Sequence, residues 1–106
     1  MKTTAVIIDD ERKSIAILQS KLTRFCSHID VLGTTENPEE GIKLVKSLKP
    51  GIVFLDVAMP IMSGFDLLNK VEQPDFEIIF VTAFDNYAID AIRHCAIGYL
   101  VKPVGG

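Results

Sequence analysis

Short runs of apolar, often β-branched residues alternate along this chain with longer stretches in which apolar side chains return every three or four positions. The runs are Ala5–Ile8, Ile29–Leu32, Ile52–Leu55, Ile78–Val81 and Tyr99–Val101. Their length and composition suit strands buried on both faces. From Ser14 to Cys26, the residues Ile15, Leu18, Leu22 and Phe25 fall on one helical stripe, which predicts an amphipathic helix against a core. Asn37-Pro38-Glu39-Glu40 supplies a capping residue, a proline and two carboxylates, so a second helix should start at Pro38. Ser63-Gly64 opens a third through about Glu72, with Phe65, Leu68 and Val71 as its apolar set. Asp85-Asn86 can cap a fourth that runs through about Ala96. Strands and helices in strict alternation predict an α/β domain with a parallel sheet and right-handed crossovers.

Composition narrows the setting. With 106 residues, 48% hydrophobic and 24% charged, the chain is expected to be one globular domain, residues 1–106, with its own core. A net charge of −3 and the lack of a basic tract disfavour direct contact with nucleic acid. Cys26 and Cys95 belong to no metal or redox motif and read as reduced, packed thiols. His28 and His94 lack ligand spacing and are expected at the surface or at helix ends. No apolar run reaches the roughly 20 residues that span a bilayer, so no membrane role and a cytoplasmic location are expected.

The candidate chemistry sits where the strands end, the edge of an open α/β sheet at which ligands gather. The first strand ends in Asp9-Asp10-Glu11, the third in Asp56, the fourth in Thr82-Ala83 and the fifth in Lys102-Pro103; the second ends uncharged in Gly33-Thr34-Thr35. If Asp10 and Asp56 come within about 5 Å, an effective dielectric near 20 gives roughly 3 kcal/mol of repulsion. Either a proton or a hard divalent cation must relieve it, and an oxygen-only site that also accepts phosphate oxygens suits Mg2+. A carboxylate there can attack a phosphoryl group while Lys102 and Thr82 contact its oxygens. Taken singly, each residue has a plainer reading. Asp-Asp-Glu would be a solvated helix start, Asp56 a turn former, Thr82 a strand residue and Lys102 a surface lysine. Their common edge carries the meaning.

Together these residues resemble the receiver domain of bacterial two-component response regulators. The matching segments are Ile7-Ile8-Asp9-Asp10-Glu11, Asp56-Val57-Ala58-Met59-Pro60 with Gly64, Val81-Thr82-Ala83 and Tyr99-Leu100-Val101-Lys102-Pro103. The resemblance implies a flavodoxin-like, doubly wound, five-stranded parallel sheet in the order 2-1-3-4-5. It implies Asp56 as phosphoacceptor for a sensor histidine kinase, and Mg2+ held by Asp10, Asp56 and the Ala58 backbone carbonyl, with Asp9 acting through water. It also implies Lys102 as the phosphoryl-binding lysine, aimed by a cis peptide before Pro103. Thr82 and Tyr99 would form a switch pair acting on the face of the fourth helix and fifth strand, although Tyr99 reads equally as a packing aromatic. Such a domain supports its own phosphorylation and dephosphorylation without being a turnover enzyme.

Within receivers, Thr82–Ile89 looks most like regulators of the LytTR type (LytR/AlgR-like), which join the receiver to a DNA-binding output domain and can pair as homodimers on activation. Two departures stand out. Gly98 takes the place of the acidic or polar residue common before the aromatic, and the chain stops at Gly105-Gly106 where a receiver continues into a fifth helix. The expectation is therefore a receiver truncated after its fifth strand. Two other functions compete. A haloacid-dehalogenase-like phosphatase needs an acid two residues after its nucleophile, where this chain has Ala58; a flavodoxin-like interaction module would leave the acidic edge unphosphorylated.

Overall fold

A computed structural model describes residues 2–71, 75–83 and 97–102 of the chain. Five parallel strands, β1 (Thr3–Ile8), β2 (Ile29–Thr35), β3 (Ile52–Leu55), β4 (Glu77–Thr82) and β5 (Gly98–Val101), form one sheet in the order β2-β1-β3-β4-β5. Three helices are described: α1 (Arg12–Phe25), α2 (Pro38–Leu48) and α3 (Gly64–Lys70). The expected fourth helix over Asp85–Ala96, with His94 and Cys95, lies outside the described residues. So do the peptide before Pro103 and the segment where a fifth helix would begin.

Alternate residues of the central strands feed two cores. Val6 and Ile8, Val53 and Leu55, and Ile78 and Phe80 point to one side, where Val45 of α2 and Leu67 and Leu68 of α3 cover them. Ala5, Ile7, Phe54 and Val81 point to the other, against Ile15, Leu18 and Leu22 of α1. Each such side chain, fully buried, contributes about 1.5–3 kcal/mol. The continuous apolar runs of β1, β3 and β4 are thus those of strands covered on both faces.

The edge strands depart from that expectation. β2 alternates half-buried and exposed residues, and its register against β1 slips between Ala5 and Val6, so the ladder passes from Val31 to Gly33 and leaves Leu32 unpaired and 41% exposed. β5, at the other edge, exposes Leu100 and Val101. Phe25, expected in the core, is instead 69% exposed. It lies in the last turn of α1 at the margin of the apolar stripe, and its ring is covered by the Lys21 ammonium and the Arg24 guanidinium, 5.8 and 5.3 Å from the centroid.

The caps follow the sequence. The Asn37 side chain accepts hydrogen bonds from the Glu39 and Glu40 amides ahead of Pro38. Ser63 and Asp66 form a reciprocal capping box at the start of α3. α1 begins at Arg12, two residues before the expected Ser14, because Glu11 already holds an extended N-cap conformation. α3 ends at Lys70 with the buried Val71 as its C-cap, and Cys26 is a free, half-buried thiol.

Candidate functional site

Parallel strands bring the ends of β1, β3, β4 and β5 to one edge, and the backbone holds the loops there in register. The Asp9 amide donates to the Thr35 carbonyl at 3.1 Å, the Asp56 amide to the Ile8 carbonyl at 3.0 Å, and the Lys102 amide to the Thr82 carbonyl at 2.8 Å. Asp9 and Asp56 are each 3% exposed, although both are carboxylates. A buried carboxylate persists only with partners, and both have them. Asp9 Oδ1 accepts the Glu11 amide at 2.9 Å, and Asp56 Oδ1 accepts the Ala58 amide at 3.2 Å.

Lys102 closes the cluster. Its Nζ lies 3.0 Å from Asp9 Oδ2, 3.2 Å from Asp56 Oδ2 and 2.7 Å from Glu11 Oε1. The carboxylates of Asp9, Asp10, Glu11 and Asp56 each present an oxygen within 4.8 Å of the others. Among the described residues four carboxylates face a single ammonium, so most of their charge is uncompensated there. Burial, reinforced by mutual repulsion, pushes the carboxyls of Asp9, Asp10 and Asp56 above their ordinary value; for Asp10 the neighbouring Asp56 is the principal charge. Glu11, bonded to Lys102, is held below its ordinary value. Burial opposes the charge on Lys102, but its bonds to Glu11 and Asp9 and the charge of Asp56 outweigh this and raise its pKa.

Such a donor set fits a hard divalent cation. The ligands are all carboxylate oxygens, they converge, and three of them sit at a pKa raised by burial and by mutual repulsion, the second of which a cation would relieve. The structure therefore brings together Asp9, Asp10, Asp56 and Lys102 as the sequence predicts, with Ala58 beside Asp56 through its amide. Thr82 is fully buried at the end of β4, and Tyr99 is half-buried on β5 opposite Phe80, packed on the α2–α3 side of the sheet. Glu11 is the residue that sequence reasoning left without a role, yet it makes the shortest contact to Lys102. Its place directly after the Asp pair at the end of the first strand was the available signal.

Two further features position Asp56. Gly64 sits so close behind it that a Cβ there would stand 2.4 Å from the Asp56 carbonyl oxygen. The loop between them turns at Ile61, whose φ is 74°, with the Met62 amide donating to the Pro60 carbonyl at 2.7 Å, the pattern of a γ-turn. Met59 and Met62 pack beneath this loop. Arg12 Nε pairs with Glu36 Oε1 at 2.8 Å and ties the start of α1 to the loop after β2.

Known proteins resemble this chain in sequence and fold. Residues 5–106 match the family model for the response regulator receiver domain. An uncharacterized response regulatory protein of Vibrio cholerae is 42% identical over 102 residues, covering 95% of this chain and 43% of that protein. The transcriptional regulatory protein BtsR of Escherichia coli is 36% identical over 104 residues, covering 93% and 41%. The chain thus spans about two fifths of the length of these relatives. Among solved structures, the response regulator TrrA of Thermotoga maritima, crystallised with Mg2+ and BeF, superposes with a TM-score of 0.80 at 31% identity, covering 96% of this chain and 87% of that one. The five-stranded order, the convergent carboxylates and lysine, and the match across nearly the whole sequence place this chain in the response regulator receiver domain family.

Proposed function

We propose that this chain is a phosphoacceptor receiver in which Asp56 takes a phosphoryl group from a phosphohistidine of a sensor histidine kinase. The observation that carries this reading is the contact of Lys102 Nζ with both Asp56 and Asp9 inside a convergent carboxylate cluster. An Asp56 carboxylate oxygen attacks phosphorus, the P–N bond to the donor imidazole breaks, and the electron pair leaves with that ring. Lys102 stabilises the charge on the transferring oxygens. Asp10, Asp56 and the Ala58 carbonyl would hold Mg2+, with Asp9 reaching it through water, and the bound cation would neutralise further phosphoryl charge. Water later attacks the aspartyl phosphate and restores the carboxylate. Ala58 offers no side-chain acid two residues after Asp56, so a phosphatase would lack its proton donor.

The phosphate adds up to about two negative charges and strong acceptor oxygens. The Thr82 hydroxyl turns toward them, and the Tyr99 ring follows into the vacated space. The face of β5 and of the expected fourth helix before it is thereby biased toward partner binding. The wider setting belongs to the same proposal: residues 1–106 as the receiver unit of a cytoplasmic regulator, with a DNA-binding output domain of the LytTR type beside it and homodimers forming on activation. The length of the relatives, one of them named a transcriptional regulatory protein, supports this setting. Nucleic acid is then contacted by the output domain.

Incubation with Mg2+ and a small phosphodonor should add one phosphoryl group to Asp56, read by intact mass and peptide mapping. Asp56→Asn should remain unmodified. A folded wild-type chain that takes up neither phosphate nor beryllofluoride overturns the proposal.

A further inference from the structure

We infer that the loop from Val57 to Met62 is an apolar docking lip for the protein that donates the phosphoryl group, with Ile61 as its anchor against apolar side chains beside the donor's phosphohistidine. The inference rests on the reading of Asp56 as phosphoacceptor. Surface loops are ordinarily built from polar residues. Here Val57-Ala58-Met59-Pro60-Ile61-Met62 carries no charged, hydroxyl or amide side chain, and it begins directly after the phosphoacceptor. Val57, Met59 and Met62 are buried, whereas Ala58, Pro60 and Ile61 face solvent. Ile61 is the outlier among them. Its φ of 74° is a left-handed conformation that a β-branched residue disfavours and that glycine or asparagine adopts at less cost. It is also 89% exposed, so contacts within this chain return little of that cost. A strained and unburied isoleucine gains its stabilising contacts when a partner covers it.

The loop is firm enough to serve as a platform. The Gly64 amide donates to the Val57 carbonyl at 2.8 Å and closes it at the base, and the bond from the Met62 amide to the Pro60 carbonyl fixes the turn. Met59 and Met62 join it to the core below. An apolar projection that is already ordered loses little freedom on binding. Its position selects the occupant. Asp56 is 3% exposed, so a protein that delivers a phosphoryl group to it must press against the rim of the site, and this loop leaves from Asp56 itself. Across the site the rim is charged, with Asp10 half-buried and Glu11 exposed, and offers a docking protein little apolar area. The lip supplies that area. A small phosphodonor has no need of it, and neither a second copy nor an output domain has to reach Asp56.

The test measures phosphorylation of wild type, Ile61→Asn and Ile61→Leu from two donors. One is phosphoramidate; the other is the autophosphorylated kinase that labels wild type fastest among the purified sensor kinases of the source genome. Asparagine suits the left-handed turn, so Ile61→Asn should melt no lower than wild type and react with phosphoramidate within about twofold of its rate. With the kinase as donor, the KM for Ile61→Asn should rise about fivefold or more with kcat nearly unchanged, as loss of an anchoring contact predicts, while Ile61→Leu stays within about threefold of wild type. A residue that only shapes the loop would change both donors together. Kinase transfer unaffected by Ile61→Asn, equal losses with both donors, a lower melting temperature for Ile61→Asn, or a wild type that phosphoramidate labels and no kinase does, each overturns the inference alone. A defect confined to self-association after phosphoramidate labelling would assign the lip to a second copy and overturns it too. A folded wild type labelled by neither phosphoramidate nor any kinase overturns the phosphoacceptor reading and this inference with it.

Discussion

Replacing Gly64 by alanine tests how the phosphoacceptor loop is seated. The new Cβ would lie 2.4 Å from the Asp56 carbonyl oxygen and 3.1 Å from both the Asp56 carbonyl carbon and Leu55 Cγ. The nearest contact is backbone, which cannot rotate aside, so the start of α3 and the end of β3 must part by at least about 0.6 Å to reach even 3.0 Å. Overpacking of this kind costs about 1–3 kcal/mol. Weakening the 2.8 Å bond from the Gly64 amide to the Val57 carbonyl adds about 1 kcal/mol. Against this, alanine restricts the unfolded chain and returns about 0.4–1 kcal/mol. The net expectation is a loss of about 1–3.5 kcal/mol, seen in urea titration as a lower midpoint and in thermal melts as a drop of at least roughly 4 °C. Beryllofluoride uptake should weaken in parallel, since the displaced atoms belong to Asp56. Gly64→Ala equal to or more stable than wild type would refute the close approach of α3 to the Asp56 carbonyl.

Three other outcomes follow from the same geometry. Without a divalent cation, folded Asp9, Asp10 and Asp56 bind protons more tightly than the unfolded value of 3.8, so stability falls as pH rises from 3.8 through their raised values and is flat above them. Glu11 opposes this with the reverse sign, and saturating Mg2+ should remove most of the penalty; a Mg2+-free melting temperature that climbs steadily from pH 5 to 8 would contradict the electrostatics. Leu22→Ala should cost about 2–4 kcal/mol in urea titration and Phe25→Ala less than about 1, because only Leu22 lies in the core; comparable losses would restore Phe25 to it. Ile61→Asn, at a left-handed position 89% exposed, should gain about 0.5–1 kcal/mol by relieving a β-branched residue of its φ; a clear loss of stability would show that the isoleucine is held for its contacts.

Much of the fold was legible because β1, β3 and β4 are covered on both faces, and only continuous apolar runs such as Ile52–Leu55 satisfy that environment. Asn37-Pro38 and Ser63 gave helix starts by local chemistry alone. The edges were harder to read. Leu32 and Leu100 look like core residues in sequence, but a slipped register and a terminal strand leave them partly in solvent. Phe25 fitted the apolar spacing yet fell at the margin of its stripe, a rotation of the helix that spacing alone does not resolve. In the site, Asp9, Asp10, Asp56 and Lys102 were legible from their place at strand ends. Glu11 was not, because its role depends on a lysine 91 residues away in the chain.

The attachment of Lys102 has a mechanical consequence. The lysine follows directly on β5, a strand held among the described residues by its ladder to β4 alone, and the last rung of that ladder is the bond from the Lys102 amide to the Thr82 carbonyl. Any anion that captures the ammonium therefore pulls on the least anchored margin of the sheet, at the point where it is stapled to the fourth strand. The side chain acts as a tether, and the amides of Leu100 to Lys102 act as its strain gauge. Their hydrogen exchange should slow when the pocket is filled, so occupancy would be legible as stiffness at the sheet's edge.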